Sequence, residues 1–355
     1  MGIKNLNNLI SEFTNIDPKN QNNLANFKNK VFAVDANLYI YKFLYANGNH
    51  INGLFFMINK LSKFNIYPVF VFDGEAPKEK KQTLENRKNL KKKIRTQVIN
   101  LKTNLSIIEN IEKRQEINKK IKNLEKRLVY VNNSVIQSSK KLLTLMNILY
   151  LDAPREAEQL CANLSRINLV DGVISDDTDT IACGSKIIIR NFNNKTDYIS
   201  YYNMDEILYE LDLNYNSFLD LCILLGTDYN HKMREVGYKS AYKLIKKYAN
   251  IDNILKNTRY KVNYDYDSIR ELFKVNHINK DIIDKISQIG GIKNMTPKIN
   301  ELIQFLENNS TIDKNTFLFR LKKMYKTTDD YTDLNYKYSL YDSDYKINLN
   351  YKFKC

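Results

Sequence analysis

The sequence predicts an α/β protein with a mostly parallel, twisted central sheet flanked by helices. Two observations carry that prediction. Short β-branched and aromatic runs end in aspartate: VFAVD (31–35), YPVFVFD (67–73) and DGVISDDTD (171–179). Helical stretches lie between them, such as residues 36–44 and 54–64, and strands alternating with helices pair in parallel. Ligands in such sheets gather at the carboxyl ends of the strands, where all three runs place their acids.

Between residues 78 and 145 the pattern becomes long, basic and helical, without Gly or Pro. KKIKNLEKRLVYV sets Ile121, Leu124, Leu128 and Val131 on one stripe at helical spacing. Two helices projecting from the sheet would account for it. SFLDLCILLG (217–226) reads as a further buried helix, followed by a turn, a hairpin with Gly237 and a basic amphipathic helix.

At 355 residues the chain can bury a sizeable core. No apolar run approaches the ~18 residues of a membrane span, and the opening MGIKNLNNLI is polar, so neither a span nor a secretory leader is expected. Leu6 stands where a myristoylation motif has Ser or Thr. The four cysteines (Cys161, Cys183, Cys222, Cys355) have unrelated spacings, which favours buried free thiols over disulfides or zinc. Three histidines supply a His-based site poorly. The net charge of +15 is concentrated: residues 78–127 hold 17 Lys and Arg against 6 Asp and Glu, a net of +11. A basic segment beside carboxylates suits phosphate attraction next to a metal site.

The acids that matter are Asp35, Asp73, Glu156, Glu158, Asp177, Asp179 and Asp228. A lone acid at a strand end is more often a cap or a solvated loop residue. Three strand-end acids, joined by the pairs E-A-E and D-T-D, point to a shared cation site. Converging carboxylates repel by several kcal/mol at low dielectric unless cations neutralise them. Oxygen-only ligands suit Mg²⁺ or Mn²⁺ rather than zinc, and two ions ~3.5–4 Å apart serve phosphodiester hydrolysis. Residues two apart point to opposite faces of a helix, so each pair must sit at a helix start or a strand end, or hold a metal through water.

MGIKNL, VFAVDANLYIYKFL, PVFVFDG, YLDAPREAEQLCA, SDDTDTIACG and DLCILLGTDY, in that order, resemble the flap endonucleases of the XPG nuclease family. Weaker matches continue through DSIRELF, NELIQFL and FRLKKMYK, so the resemblance covers most of residues 1–326. It implies a PIN-like nuclease core divided into an N-terminal part (1–77), a basic helical gateway or cap (78–145), an internal part (146–257) with a helix–two-turn–helix at about 217–250, and C-terminal helices (258–326). The tyrosine-rich tail, 327–355, has little periodicity and is expected to be weakly ordered. The implied activity is Mg²⁺-dependent 5′ flap cleavage of branched DNA, with 5′–3′ exonuclease activity, in replication and repair. The implied protein is a monomer, nuclear, or cytoplasmic if viral.

The resemblance carries the family's metal ligands onto all seven acids, with Asp35, Asp73, Glu156 and Glu158 around one Mg²⁺ and Asp177, Asp179 and Asp228 placing a second. It assigns Lys80 and Arg87 to the scissile phosphate; their spacing of seven also puts them on one helix face. It assigns Tyr41, on spacing a core tyrosine, to stacking on the base beside the cut. Gly2 corresponds to a backbone approach to DNA, and Lys126 and Arg127 to the far side of the gateway. Gly226, Gly237, Lys239 and Lys243 correspond to the duplex grip, where the family often holds K⁺.

Three departures limit the transfer. Glu235 and Tyr238 replace the grip's first glycine and its proline, which disfavours K⁺ and adds charge near phosphate. The 35–73 stretch is about fourteen residues shorter than usual, in the loop that contacts a 3′ flap, while the gateway is about a dozen residues longer. No sequence resembling a sliding-clamp docking motif follows. The competing readings are a junction- or gap-cutting relative, a silent branched-DNA-binding module and an RNA-acting nuclease.

Overall fold

The computed structural model describes residues 2–17, 22–105, 108, 110–274, 278–287 and 297–325; the tail from 327, with Cys355, lies outside them. Among the described residues seven strands form one sheet: β1 (Asn22–Asn23), β2 (Val31–Asp35), β3 (Tyr67–Phe72), β4 (Tyr150–Asp152), β5 (Gly172–Ile174), β6 (Ile187–Arg190) and β7 (Tyr198–Asn203). Their order is β1-β7-β6-β5-β2-β3-β4. The pairs β2–β3, β2–β5, β3–β4 and β5–β6 are parallel, while β6–β7 and β1–β7 are antiparallel. In β3 every side chain is buried, and in β2 all but the first, because helices cover both faces of a parallel sheet.

The helices are α1 (Leu6–Phe13), α2 (Ala36–Asn47), α3 (His50–Lys63), α4 (Lys81–Leu105), α5 (Ile111–Lys126), α6 (Asn133–Leu145), α7 (Ala157–Arg166) and α8 (Asp179–Ala182). There follow α9 (Met204–Leu211), α10 (Tyr215–Leu225), α11 (Tyr238–Tyr248), α12 (Ile251–Asn257), α13 (Tyr266–Phe273), α14 (Lys280–Ser287), α15 (Ile299–Asn309) and α16 (Lys314–Met324). One core gathers around β2, β3, α2 and α3, and another around α1, α9, α10 and α11. None of the described helices is long and apolar enough to cross a membrane.

Two sequence expectations need correction. The helix after Asp35 runs on to Asn47, where Gly48 ends it in the left-handed conformation, and the next begins at His50 with Asn49 as its cap. The caps place both boundaries, whereas the apolar pattern spans only the middle of each helix. The basic stretch gives three helices rather than two. α4 and α5 form a hairpin with a small core of its own, Ile94, Val98, Ile121 and Leu124. α6 instead returns its apolar face to the main core through Leu142, Leu143 and Leu145.

Candidate active site

Each acid owes its place to a strand end or a helix start. Asp35 closes β2 and caps α2, accepting from Leu38 N at 3.1 Å. Asp73 follows β3 and accepts from Ala157 N at 2.9 Å. Glu156 is the N-cap residue of α7, and Glu158 lies in its first turn. Asp177 follows β5, and Asp179 opens α8. Both pairs therefore sit at or just before helix starts, one of the placements their spacing allowed, and the positive end of each helix dipole favours the charge there. Ser175 Oγ bridges two segments: it donates to Asp35 Oδ2 at 3.3 Å and accepts from Asp177 N at 3.1 Å.

The acids press on one another. Burial first, then the neighbouring Asp73 and Asp177, push the Asp35 carboxyl up to about 8. Burial also raises Glu158, beside Asp177, Asp179 and Glu156, and raises Asp179, beside Asp177 and Asp228, well above the usual carboxylate range. Glu156 stays raised despite its bond to Lys80, because desolvation outweighs the pairing. Asp35, Glu156, Glu158, Asp177 and Asp179 thus each feel the charge of other acids drawn from distant segments.

Lys80 is 7% exposed and donates to Glu156, with Asp228 Oδ2 3.4 Å away. Burial alone would lower its ammonium, but Glu158, Glu156 and Asp228 hold it above its ordinary value. It does not share a helix with Arg87: Lys80 ends a separate 3₁₀ turn, Lys78–Lys80, and α4 begins one residue later. The two converge nonetheless, since Arg87 Nη2 donates to Asp228 Oδ2 at 2.7 Å.

Among the described residues no three His, Cys, Asp or Glu side chains are closed to the spacing of a metal-binding set. The donor chemistry still fits a hard divalent cation. Both Asp179 carboxylate oxygens are buried without a hydrogen-bond partner, and the surrounding acids offer oxygen only.

The remaining expected residues are spread over the approach to α1 and over α2, α5, α10 and α11. Tyr41 is half-buried on α2, stacked on Tyr45 with ring centroids 6.3 Å apart. Gly2, at φ +83°, leaves no room for a side chain: a Cβ would stand 2.2 Å from Asp177 Oδ1. Lys126 and Arg127 are exposed at the end of α5. Gly226 ends α10 and Gly237 caps α11. Lys239 and Lys243 are exposed on α11, and Lys239 pairs with Glu12 of α1.

The sequence did not single out Asp176. Its side chain accepts from Asn191 N at 2.7 Å and from Lys42, and its carbonyl accepts from Arg190 Nη2 at 3.1 Å. It anchors the loop that carries Asp177 and Asp179. Its only signal was its place inside the D-D-T-D run.

Known proteins resemble this chain in sequence and fold. Residues 1–94 match the XPG N-terminal domain and residues 147–228 the XPG I-region. The chain is 34% identical to flap endonuclease 1 of Cryptosporidium parvum, over 91% of this chain and 70% of that one. It is 32% identical to flap endonuclease 1 of Enterocytozoon bieneusi, over 92% and 95%. The catalytic core of Rad2 in complex with DNA substrate superposes with a TM-score of 0.60 at 25% identity, covering 92% of this chain and 100% of that one. The flap endonuclease-1 of Methanococcus jannaschii shares the fold, with a TM-score of 0.62 over 86% and 96% at 24% identity. The helical hairpin above the acids and the α10–α11 pair are thus the arch and the helix–two-turn–helix of a PIN-like nuclease, and the chain belongs to the flap endonuclease family of XPG-type nucleases.

Proposed function

We propose that the protein is a structure-specific 5′ flap endonuclease with 5′–3′ exonuclease activity. It hydrolyses DNA phosphodiesters where a single strand leaves a duplex, in replication and repair. The observation that supports this reading is the buried Lys80, held among Glu156, Glu158 and Asp228 from distant segments of chain.

Asp35, Asp73, Glu156 and Glu158 would hold one Mg²⁺, and Asp177, Asp179 and Asp228 would help place the second; Mn²⁺ offers similar chemistry. When bound, such ions activate water and neutralise the leaving oxygen. Lys80 remains protonated among the carboxylates, so it serves as a cation toward the scissile phosphate and not as a base. Arg87 enters from the exposed side of the same group. Tyr41 offers its ring to the base beside the cut, a contact of ~1–3 kcal/mol. The basic α4–α5 hairpin would admit the 5′ strand past Lys126 and Arg127. Gly226, Gly237, Lys239 and Lys243 would follow the unbroken duplex. Glu235 argues against a K⁺ site there.

The test is a panel of end-labelled single-flap, double-flap, nicked, bubble and four-way-junction DNA, with Mg²⁺ or EDTA. Preference for flaps, lost in EDTA, is expected. Preference for the four-way junction would move the protein to a junction-cutting role, and binding without cutting would make it a silent module.

A further inference from the structure

Gln159 and Asn163 lie four residues apart on α7, so their side chains stack on one helix face. Each is only 4% exposed. Buried amides are costly unless their hydrogen bonds are made. Gln159 Nε2 donates to the Tyr229 hydroxyl at 3.0 Å. Its Oε1 is left buried and without a partner. Both residues line a cavity of about 320 Å³ together with Asp152 and with Asn279, whose Oδ1 already accepts from Asp281 N at 3.1 Å, and Pro154, Leu160 and Ile282 supply apolar wall. Arg155 and Glu156 line it too, so the cavity adjoins the carboxylate cluster.

Side-chain amides set among apolar surfaces match the edge and faces of a nucleobase, as Asn and Gln do in reading adenine. A guanidinium at the same cavity matches a phosphate. The volume is at the small end of ligand sites, room for one nucleotide and not for a duplex. Cutting at a junction leaves bases unpaired beside the scissile phosphate, and an enzyme that unpairs a base needs somewhere to put it.

We propose that this cavity is a nucleobase pocket that receives one unpaired base next to the cut, an inference that rests on the flap-cutting reading above. Gln159 Oε1 accepts from the base edge, Asn163 and Asn279 complete the polar contacts, and Ile282 and Leu160 pack against the ring. Arg155 draws in the phosphate of the same nucleotide.

The test uses the full chain with Mg²⁺ and single-flap substrates carrying one abasic residue at successive positions across the cut. Single-turnover rates are compared for the unaltered protein, Ile282→Trp, which fills the cavity, and Gln159→Leu, which removes the amide. An abasic residue at one position should slow the unaltered protein about tenfold or more. Both variants should cut the intact flap at that lower rate and lose nothing further on the abasic one. Equal abasic sensitivity in all three proteins, or none at any position, overturns the pocket. If Ile282→Trp fails to fold, judged by its thermal midpoint, Gln159→Leu decides.

Equilibrium dialysis with deoxynucleoside monophosphates in EDTA separates the sources of the base. Saturable binding that Ile282→Trp abolishes, without any abasic effect on cutting, gives the site to free nucleotide and overturns the assignment to a base within the strand. Should the unaltered protein cut no flap at all, the nuclease reading fails on that ground. Dialysis then judges the cavity by itself: binding lost in Ile282→Trp supports a nucleobase pocket, and no binding ends it.

Discussion

Arg87 Nη2 donates to Asp228 Oδ2 at 2.7 Å, joining the second turn of α4 to the loop after α10. Thr83, one helical turn earlier, donates to the Asp228 carbonyl at 2.7 Å. The base of the arch is therefore tied to one of the acids, and a cation on the arch is fixed at the edge of the carboxylate cluster. The Arg87 side chain is 42% exposed, so the ion pair itself adds little stability. Arg87→Ala is expected to slow single-turnover flap cleavage by roughly 10²–10³, the usual loss for one charge-stabilising donor. Its thermal midpoint should hardly move. An unchanged rate would place Arg87 outside the chemistry.

Asp179 contributes two buried oxygens with no hydrogen-bond partner, which costs the fold unless a cation meets them. Asp179→Asn removes that charge at almost constant volume. In EDTA the variant should be more stable than the unaltered protein, because the neutral amide escapes repulsion from Asp177 and Asp228. Cleavage in Mg²⁺ should disappear while flap binding persists. Denaturant melts with and without Mg²⁺ read the first effect and gel shifts the second. A destabilised Asp179→Asn in EDTA would contradict the account.

Much of this site was legible in sequence because its acids terminate strongly patterned strands, so strand prediction and acid placement are one inference. VFAVD and YPVFVFD show this: each apolar run breaks at an acid, with β2 ending at Asp35 and β3 one residue before Asp73. The E-A-E and D-T-D pairs were legible through geometry in part, since residues two apart cannot share a face inside a regular helix and must sit at a helix start or a strand end, or act through water. What escaped was whatever rests on contacts between distant segments. Nothing in IIIR announces that Arg190 meets the Asp176 carbonyl, and nothing in α7 announces that Gln159 meets Tyr229. The two-residue turn at Gly48 and Asn49 escaped as well. Its signal is a left-handed glycine beside an asparagine cap, and the flanking apolar pattern obscured it.

Glu235 adopts φ +60°, in the left-handed region that favours glycine. The turn therefore carries Cβ strain, roughly 1 kcal/mol for a non-glycine residue. Glu235→Gly should recover about that amount in stability. It also removes a negative charge from the segment expected to approach duplex phosphate, so binding to blunt duplex should tighten, most visibly at low salt. Weaker binding in the glycine variant would show that Glu235 contributes to the grip.

His50 opens α3, and its Nε2 lies 2.8 Å from Ser138 Oγ of α6. Burial holds its imidazolium below the ordinary value, only partly offset by a bond to the Val135 backbone. The folded state therefore binds this proton less readily than the unfolded chain. The contribution of His50 is intact above the unfolded value near 6.5 and is lost as pH falls through the lower, folded one. Because the raised carboxyls of the acid cluster change in the opposite sense, the informative quantity is the difference between the unaltered protein and His50→Gln. That difference should favour histidine more at pH 7.5 than at pH 5. A pH-independent difference would mean that the His50 proton is not linked to folding.

Arg270 of α13 meets Asp220 of α10 with two bonds, Nε to Oδ1 at 2.7 Å and Nη2 to Oδ2 at 2.6 Å. Asp220 is 2% exposed and also accepts from Ile251 N at 2.8 Å, at the start of α12. One carboxylate thus ties α10 to the start of α12 and to α13. Removing the guanidinium leaves that charge buried with a single amide donor, and breaking a buried pair costs more than the pair contributed. Arg270→Ala should destabilise the protein by about 3 kcal/mol, the lower end for such losses, since Arg270 keeps some solvent contact. Pairing it with Asp220→Asn should restore part of the loss, because the stranded charge is then gone. The rate of the chemical step, measured well below the melting transition at saturating enzyme, should not change, because neither residue touches the seven acids. A fall in that rate without a fall in stability would mean that the α10–α13 tie positions Asp228 as well as the grip.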